Sequence, residues 1–275
     1  MHLSEPIVQW LREPGEGLLY ELMQIFTDLS CLSAAVDSAD RSLDHQTRQS
    51  LLDECLYLER QYSKFYSKIS STGTGEDPPI YGPGQIKTGI PVTDTLFGPA
   101  YKFSSVGQAN LHILIWTSLS LVHPLIYQAY ILTEAGDIPK ALHIDGQSPQ
   151  HTANQLSAHY ISKAIRCLPY CAQENMGPWA IFYGIFSACQ ASRVFSHIRD
   201  WERVCWALKV IDYIALSGFD LASRMLGIYS SYWFEPERHN AYRLPYTREL
   251  TKVYHSSSRE SSGRDNTTLK SDTMD

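Results

Sequence analysis

Two stretches near the N-terminus carry apolar residues at spacings that alternate between four and three. Apolar residues at these spacings lie along one face of an α-helix, so each stretch predicts an amphipathic helix with a single apolar seam. The first seam consists of Leu18, Leu22, Ile25, Leu29, Leu32 and Val36. The second seam consists of Leu51, Cys55, Leu58, Tyr62, Phe65 and Ile69.

The connection between the two seams is short and polar, with Asp and Ser prominent from Asp37 to Ser42. Such a connection predicts an antiparallel hairpin in which the two seams close on each other. We therefore assign residues 1–70 to an N-terminal helical hairpin. Each seam is shorter than three heptads. An intermolecular coiled coil, in which the seams would close on a partner chain, is therefore the less favoured alternative.

Glycine and proline are frequent in residues 71–99, which excludes a regular helix there. A long irregular segment between helical regions is usually a functional loop or a linker. We predict that residues 71–99 form a Gly/Pro-rich loop or linker. This segment would separate the hairpin from a main helical domain over residues 100–235.

The most apolar run of the chain extends from Leu111 to Val122. A membrane span is one interpretation of such a run. It is disfavoured because His112, His123 and Gln128 interrupt the region and because neither flank carries a strong cluster of Lys and Arg. We expect a buried core helix, with a kink or break at Pro124.

Helix boundary signals divide the rest of the main domain. Ser148-Pro149 predicts the start of a helix that would end at Pro169, and Gly177-Pro178 predicts the start of another. The second of these helices would run to about Ile198, and its apolar residues on almost every face predict a central position. Asp200 is expected to cap the next helix and Gly218 to terminate it, before a last helix over about residues 219–233.

Residues beyond Leu250 are mostly Ser, Thr, Arg, Asp and Lys. This composition cannot bury enough apolar surface to fold, so we predict a polar, largely disordered tail over residues 236–275. Every other predicted element is a helix or a loop. The predicted fold class is therefore all-α, with several packed helices.

Charge and cysteine content narrow the possible functions. The formal net charge is -6, which argues against direct binding of a nucleic-acid backbone by this chain. Residues Met1–Trp10 lack the basic and apolar regions of a secretory signal peptide, so we expect a reducing compartment. The six cysteines are then expected to be free thiols on buried helix faces.

Metal-binding patterns are weak. Cys167 and Cys171 form the closest cysteine pair, but no second pair accompanies them. His143, Asp145, His151 and His159 lie in one region of the sequence, with spacings too loose to indicate a metal site, and they are more readily interpreted as surface residues. The sequence therefore predicts no metal ligand.

Patterns for catalysis and cofactor binding are equally weak. Cys189 and Cys205 lie on apolar helix faces where a thiolate is disfavoured, and Gly82-Pro83-Gly84 lacks the donor amides of a phosphate loop. The carboxylate pairs Asp53-Glu54 and Glu235/Glu237 are interpreted as solvated surface. We expect no catalytic residue, no cofactor and no enzymatic activity. One group of aromatic residues is expected to pack in the core, with the lining of a ligand cavity as the alternative: Trp179, Phe182, Tyr183, Phe186, Phe195, Trp201 and Trp206.

A spaced pattern of helix residues extends over most of the chain. It includes Tyr101-Lys102-Phe103 before the apolar run with Trp116, and the stretch Ala158–Tyr170 with its ending Leu168-Pro169-Tyr170. It continues with a Gly-Pro-aromatic helix start, small residues at Ser187, Ala188, Ala191 and Ser192, and a helix from Trp201 to Ser217-Gly218. In this pattern the chain resembles the C-terminal regulatory region of fungal zinc-cluster transcription factors, which carry a six-cysteine binuclear zinc domain. The resemblance covers roughly Trp10 to Trp233.

The resemblance implies an all-α regulatory region, nuclear residence, dimerisation in many members, and control of metabolic or secondary-metabolite genes. The zinc cluster of this family is N-terminal, with paired C-x2-C-x6-C spacing among Lys and Arg, and this sequence has no such pattern. A further alternative is that a zinc cluster is encoded upstream of Met1.

We therefore expect a regulator-like protein that acts through protein contacts or effector binding in the nucleus, or in the cytoplasm. Its partner would be a full-length zinc-cluster factor or a second copy of the chain, and we expect no membrane contact. The alternative is a helical enzyme or ligand-binding accessory protein of a biosynthetic pathway, with His151 or His159 contributing to its activity.

Overall fold

The computed structural model describes residues 16–40, 42–70, 77–82, 84–91, 93–133 and 137–234. Over these residues the fold is all-α with several packed helices, as predicted, and no β-strand is present. The α-helices are α1 (Glu16–Ser38), α2 (His45–Ser70), α3 (Val106–Thr133), α4 (Pro149–Ile165), α5 (Leu168–Cys171), α6 (Gly184–His197), α7 (Trp201–Leu216) and α8 (Asp220–Phe234). Short 3₁₀ helices occur at Lys140–Leu142, Glu174–Met176 and Pro178–Ile181.

The chain divides into two units, residues 1–223 and residues 224–275. The first unit contains α1 to α7 and the first residues of α8. Of the second unit, the structure describes residues 224–234, which are the later part of α8. The tail predicted over residues 236–275 lies outside the described residues.

Helices α1 and α2 form an antiparallel hairpin. Lys68, near the end of α2, forms an ion pair of 2.6 Å with Glu21, near the start of α1. Leu22 and Leu29 of the first seam are buried, as are Tyr62 and most of the second seam. Both helices also pack against α3. The seams therefore close on α3 as well as on each other.

Helix α3 is the centre of the first unit. It contacts α1, α2, α4 and α6, and it is buried along most of its length. The Thr117 and Ser187 hydroxyls meet at 2.7 Å where α3 crosses α6. The small residues predicted for this region are all buried, which is consistent with close packing of α6 on α3: Ser187, Ala188, Ala191 and Ser192.

The segment expected to be central differs from that expectation. It begins with the 3₁₀ helix Pro178–Ile181 and becomes α-helical only at Gly184. Phe186 on α6 is 45% exposed. The central position belongs to α3, which is long and apolar enough to span a bilayer by length and composition alone. Most of the apolar window of α3, 83%, is buried inside the protein, as is common for core helices.

Helix α3 continues through Pro124 without a break. Proline has no N–H group, so the carbonyl of Ser120, four residues earlier, loses its usual helical donor. The Ser157 hydroxyl of α4 donates a hydrogen bond of 2.6 Å to this carbonyl. The neighbouring helix thereby supplies the bond that proline removes.

The predicted caps are present. The Ser148 hydroxyl accepts a hydrogen bond from the His151 amide, and the Asp200 carboxylate accepts one from the Arg203 amide. Gly218 follows α7 with a φ of 96°. The expected end of α4 is wrong in detail, because α4 stops at Ile165 and Pro169 lies in the first turn of α5. Proline is tolerated there because amides in a first helical turn have no helical acceptor.

Helix α6 ends with a left-handed residue that is not glycine. Arg199 has a φ of 62°. The Arg199 amide donates to the Ser196 carbonyl and the Asp200 amide to the Phe195 carbonyl, which is the hydrogen-bond pattern of a Schellman motif.

We expect Arg199→Gly to raise the free energy of unfolding by about 0.5 kcal/mol. Relief of left-handed strain outweighs the greater backbone entropy that glycine has in the unfolded chain. Urea denaturation measures the change. Gly218→Ala, at the matching position after α7, should have the opposite sign. A loss of stability in Arg199→Gly would show that the arginine side chain contributes more than its backbone strain costs.

The described residues of the Gly/Pro-rich segment, 77–82, 84–91 and 93–99, form no regular helix or strand, and we call the described residues between 77 and 103 the strap. Its ends are joined by an isolated bridge between Ile80 and Tyr101, and its side chains at Ile90, Thr93 and Phe97 are buried. At Gly89, an added Cβ would lie 2.3 Å from the Tyr213 ring of α7. The strap passes so close to α7 there that only glycine fits.

Side chains of α4 and α7 hold the strap by its backbone carbonyls. The Trp206 indole donates to the Pro91 carbonyl at 3.2 Å, and the Arg203 guanidinium donates to the Leu96 carbonyl at 2.7 Å. The Arg166 Nε donates to the Pro99 carbonyl at 2.8 Å. Phe97 packs between the rings of Phe195 and Trp206, at centroid distances of 5.6 and 5.0 Å. The described part of this segment is thus fixed to the helices.

Candidate functional site

The six cysteines are all free thiols, but the expected position on a buried helix face is wrong for Cys31, which is exposed on α1. Burial is the main cause that raises the pKa of Cys55 and of Cys171, each to about 12. Burial also raises the pKa of Cys167 well above its ordinary value. Cys189 is buried as well, whereas Cys205 is half-buried. Neutral thiols are poor nucleophiles and poor metal ligands, so the buried cysteines for which a shift is resolved fit a packing role.

The histidines considered from the sequence have separate surroundings. His143 lies 3.8 Å from Asp145, and both side chains are exposed. His151 pairs with Gln155 one turn later, and the His159 ring contacts Tyr160. No group of three or more His, Cys, Asp or Glu residues in the described part of the chain is arranged to hold a metal.

The other polar candidates are surface features where they are described. Asp53 and Glu54 are exposed on α2 and accept hydrogen bonds from Gln49 and Ser50 of the preceding turn. The amide of Gly82 donates to the Gln85 side chain and is therefore already occupied. Pro83, Glu235 and Glu237 lie outside the described residues.

A polar cluster missed by the sequence reasoning joins the strap to α4. It consists of Asp77, Tyr101, Lys163 and Arg166. Lys163 forms an ion pair of 2.6 Å with Asp77. The Tyr101 hydroxyl donates to Asp77 at 3.0 Å and accepts from Arg166 at 2.7 Å. The Arg166 guanidinium also lies 3.9 Å from the centre of the Tyr101 ring.

The charges of the polar cluster are matched within it. Burial by itself would raise the pKa of Asp77, but the hydrogen bond and charge of Lys163, with help from Tyr101 and Arg166, hold it below its usual value. Burial raises the pKa of Tyr101, which keeps its phenol protonated as a donor. Because these groups satisfy one another, the cluster fastens the strap and leaves no reactive group free.

Two buried histidines lie on α3. His112 and His123 each contact the carbonyl four residues earlier, at 2.9 Å, and the His123 ring stacks on Tyr160. Burial lowers the pKa of both side chains, while the contact with the backbone carbonyl opposes the shift. Both are therefore neutral in the folded protein near pH 7.

We expect the melting temperature to fall as the pH is lowered from about 7.5 to about 5. Histidine in the unfolded chain takes up a proton near pH 6.5, whereas the folded protein binds it only at lower pH. Stability is thus present above the unfolded pKa and is lost as the pH falls towards the folded pKa. His123→Gln should reduce this loss, because it removes one of the two titrating side chains. The Gln amide can still donate to the Leu119 carbonyl, so the hydrogen bond is kept. His197→Gln, at an exposed position, is the matched control, and an equal pH dependence in both variants would contradict the assignment.

The aromatic group considered as core is divided by the structure. Phe195, Trp201 and Trp206 are buried, as expected. Trp179, however, is 61% exposed, and Phe182 and Tyr183 are half-buried. The expectation of core packing is therefore wrong for the residues next to Gly177-Pro178, because the 3₁₀ helix there directs Trp179 outwards. It is also wrong for Phe186 on α6, which is 45% exposed.

An aromatic patch results on the surface of the first unit, consisting of Trp179, Phe182, Leu216 and Phe219. The Trp179 ring meets the Phe219 ring edge to face at 5.3 Å. Phe182 lies 5.9 Å from Trp179 and 5.5 Å from Phe219. Leu216, three residues before Phe219, is 74% exposed. Trp179 and Leu216 are thus mostly exposed while Phe182 and Phe219 are half-buried, and exposed apolar surface of this kind is a candidate binding surface.

Glycines with positive φ precede both aromatic segments of the patch. Gly177 has a φ of 73° before Pro178-Trp179, and Gly218 has a φ of 96° before Phe219. These turns bring residues about forty positions apart into ring contact. Both glycines are visible in the sequence as helix boundaries, but nothing in the sequence indicates that the two turns meet.

No protein-family description, no curated protein and no solved structure matches this chain.

Proposed function

We propose that this chain is a non-enzymatic regulator of transcription, of the kind seen in the regulatory region of fungal zinc-cluster factors. It acts in the nucleus through contacts with other proteins and has no DNA-binding zinc cluster of its own. The aromatic patch is the observation that carries the proposal. Trp179 and Leu216 expose most of their side chains, and such apolar surface is available for a partner protein to cover.

The chemistry of the buried groups supports binding over catalysis. The thiols of Cys55, Cys167 and Cys171 are held neutral by burial, and the polar cluster is satisfied internally. The groups that remain available on the patch are apolar, and apolar surface supports association without chemistry.

The acidic charge and the resemblance support a protein partner. A net charge of -6 disfavours direct contact with DNA phosphates, so a second polypeptide would make that contact. A full-length zinc-cluster factor or a second copy of this chain fits the resemblance, and a small-molecule effector could modulate the contact. The controlled genes would be metabolic or secondary-metabolite genes.

Tethering the chain to DNA tests this function. The full chain, fused to an unrelated DNA-binding domain, is expected to change transcription from a reporter of intermediate activity, upwards or downwards. Trp179→Ala should abolish the change. Tyr57→Ala, which removes an aromatic that is 58% exposed on α2, is the matched control and should leave it intact. An unchanged reporter with the parent fusion would refute a regulatory function.

Direct measurement on the purified chain provides a second test. We expect no stoichiometric zinc and no sequence-specific DNA binding. Stoichiometric zinc together with salt-sensitive binding to promoter DNA would overturn the proposal.

A further inference from the structure

The hairpin of α6 and α7 has two ends of different chemistry. The segment that leads into α6 and the end of α7 with the residues after it carry the aromatic patch. The opposite end, where α6 passes into α7, carries the exposed cations of Arg193 and Arg199. The positive charge of the hairpin is therefore concentrated away from the patch.

Asp212 places a negative charge beside the patch. It lies one turn before Leu216 on α7, so the two side chains share a helix face. Asp212 is half-buried, and in the described part of the chain no hydrogen bond or ion pair involves its carboxylate. Burial raises the pKa of Asp212, because partial removal from water disfavours its charged form. A cation on a partner protein could form the ion pair that this half-buried carboxylate lacks.

Lys209, the nearest basic residue along α7, does not pair with Asp212. It lies one turn before Asp212 and is exposed, and no ion pair joins the two side chains. Glu174, five residues before Trp179, adds a second exposed carboxylate in the segment that leads to the patch. Asp212 and Glu174 thus place two carboxylates within five residues of the patch along the chain.

We propose that the aromatic patch and Asp212 together form a docking site for a basic amphipathic helix of a partner protein. The apolar face of that helix would lie on Trp179, Phe219 and Leu216, and a Lys or Arg at its edge would pair with Asp212. The exposed indole strengthens the preference for a cation, because a Trp ring attracts Lys and Arg over its face. This inference rests on the proposed function and specifies the partner through which it operates.

A helix fits the site better than a single side chain. Trp179 and Leu216 are mostly exposed, Phe219 is half-buried, and the three residues come from two separate segments of the chain, so covering them takes an extended apolar stripe. Apolar positions at i, i+3, i+4 and i+7 of an amphipathic helix provide such a stripe, with charged positions along both of its edges.

Fluorescence anisotropy with two labelled synthetic peptides tests the site. The first is an amphipathic helix of about 18 residues with Leu and Trp on one face and Lys and Arg on the other. The second has the same apolar face with every Lys and Arg replaced by Glu. The full chain should bind the basic peptide at least about tenfold more tightly than the acidic one, and the difference should shrink as salt is raised.

Variants then locate the binding. Trp179→Ala and Leu216→Glu should each weaken binding of the basic peptide about tenfold or more. Asp212→Asn should weaken it about threefold to fivefold and reduce its dependence on salt. Asp53→Asn and Tyr57→Ala, on the exposed face of α2, are matched controls for charge and for aromatic area and should bind as the parent does. Circular dichroism establishes that each variant remains folded.

Three outcomes would overturn the docking site. These are equal binding of the two peptides, an Asp212→Asn variant that binds as the parent does, or the same loss of binding in the α2 controls. A parent chain that is dimeric by light scattering and becomes monomeric in Leu216→Glu would assign the patch to a second copy instead. The proposed function and the docking site can fail separately. A tethered chain that regulates the reporter but does not prefer the basic peptide would keep the proposed function and exclude this partner.

Discussion

Replacing Arg166 by alanine is expected to lower the free energy of unfolding by about 3 kcal/mol, which corresponds to a melting temperature lower by about 10 °C. The side chain donates to the Pro99 carbonyl and to the Tyr101 hydroxyl, and its guanidinium stacks on the Tyr101 ring. Its removal leaves the Pro99 carbonyl and the hydroxyl of a buried tyrosine short of a donor. Thermal melting followed by circular dichroism measures the loss.

Two further variants separate the contributions at this site. Arg166→Lys should recover little of the loss, because a lysine ammonium cannot donate to both oxygens and stack on the ring at once. Tyr101→Phe keeps the ring and removes the hydroxyl that joins Arg166 to Asp77, so about 1 kcal/mol should be lost. Arg193→Ala, at an exposed position on α6, should change stability by less than about 0.5 kcal/mol. A loss in Arg166→Ala no larger than in Arg193→Ala would contradict the assignment.

Replacing Ser157 by alanine is expected to lower the free energy of unfolding by about 2 kcal/mol. The Ser157 hydroxyl is the donor that reaches the Ser120 carbonyl left open by Pro124, and both serines are buried. Without that hydroxyl the buried carbonyl lacks a donor, and an unsatisfied buried acceptor costs about 1–3 kcal/mol. Urea denaturation of the parent and the variant provides the measurement.

A double-mutant cycle with Pro124→Ala tests this cause. An alanine at position 124 restores the backbone amide that can donate to the Ser120 carbonyl. Ser157→Ala should then be milder in the Pro124→Ala background, with a coupling of about 1 kcal/mol. Additive effects within about 0.5 kcal/mol would show that the Ser157 hydroxyl is not replacing the missing amide.

Local features of the fold were predictable because their causes are local. The seam residues Leu22 and Leu58 follow helical periodicity, and the capping residues Ser148 and Asp200 act within one turn of their own position. Each of these signals is complete within a few residues of sequence. The helices and most of their boundaries follow from them.

Features that depend on distant residues were not predictable in this way. The sequence of the strap predicts only a loop. The hydrogen-bond donors that fix it, such as Arg203 and Trp206, lie more than 100 residues later in the chain. The polar cluster is hidden for the same reason, since Asp77 and Lys163 have no relation in the sequence. Periodicity also could not separate buried Trp206 from exposed Trp179, because a 3₁₀ turn changed the direction of the second ring.

The strap has a consequence for the order in which the chain acquires its structure during synthesis. The Pro91 and Leu96 carbonyls leave the ribosome well before the Trp206 indole and the Arg203 guanidinium that bind them, which follow 115 and 107 residues later. Closing such long loops is slow compared with forming the α1–α2 hairpin, whose helices are adjacent in the sequence. A nascent chain that stops before α7 therefore leaves Phe97 without the Trp206 ring that packs against it. The last helices complete a part of the fold that was translated long before them.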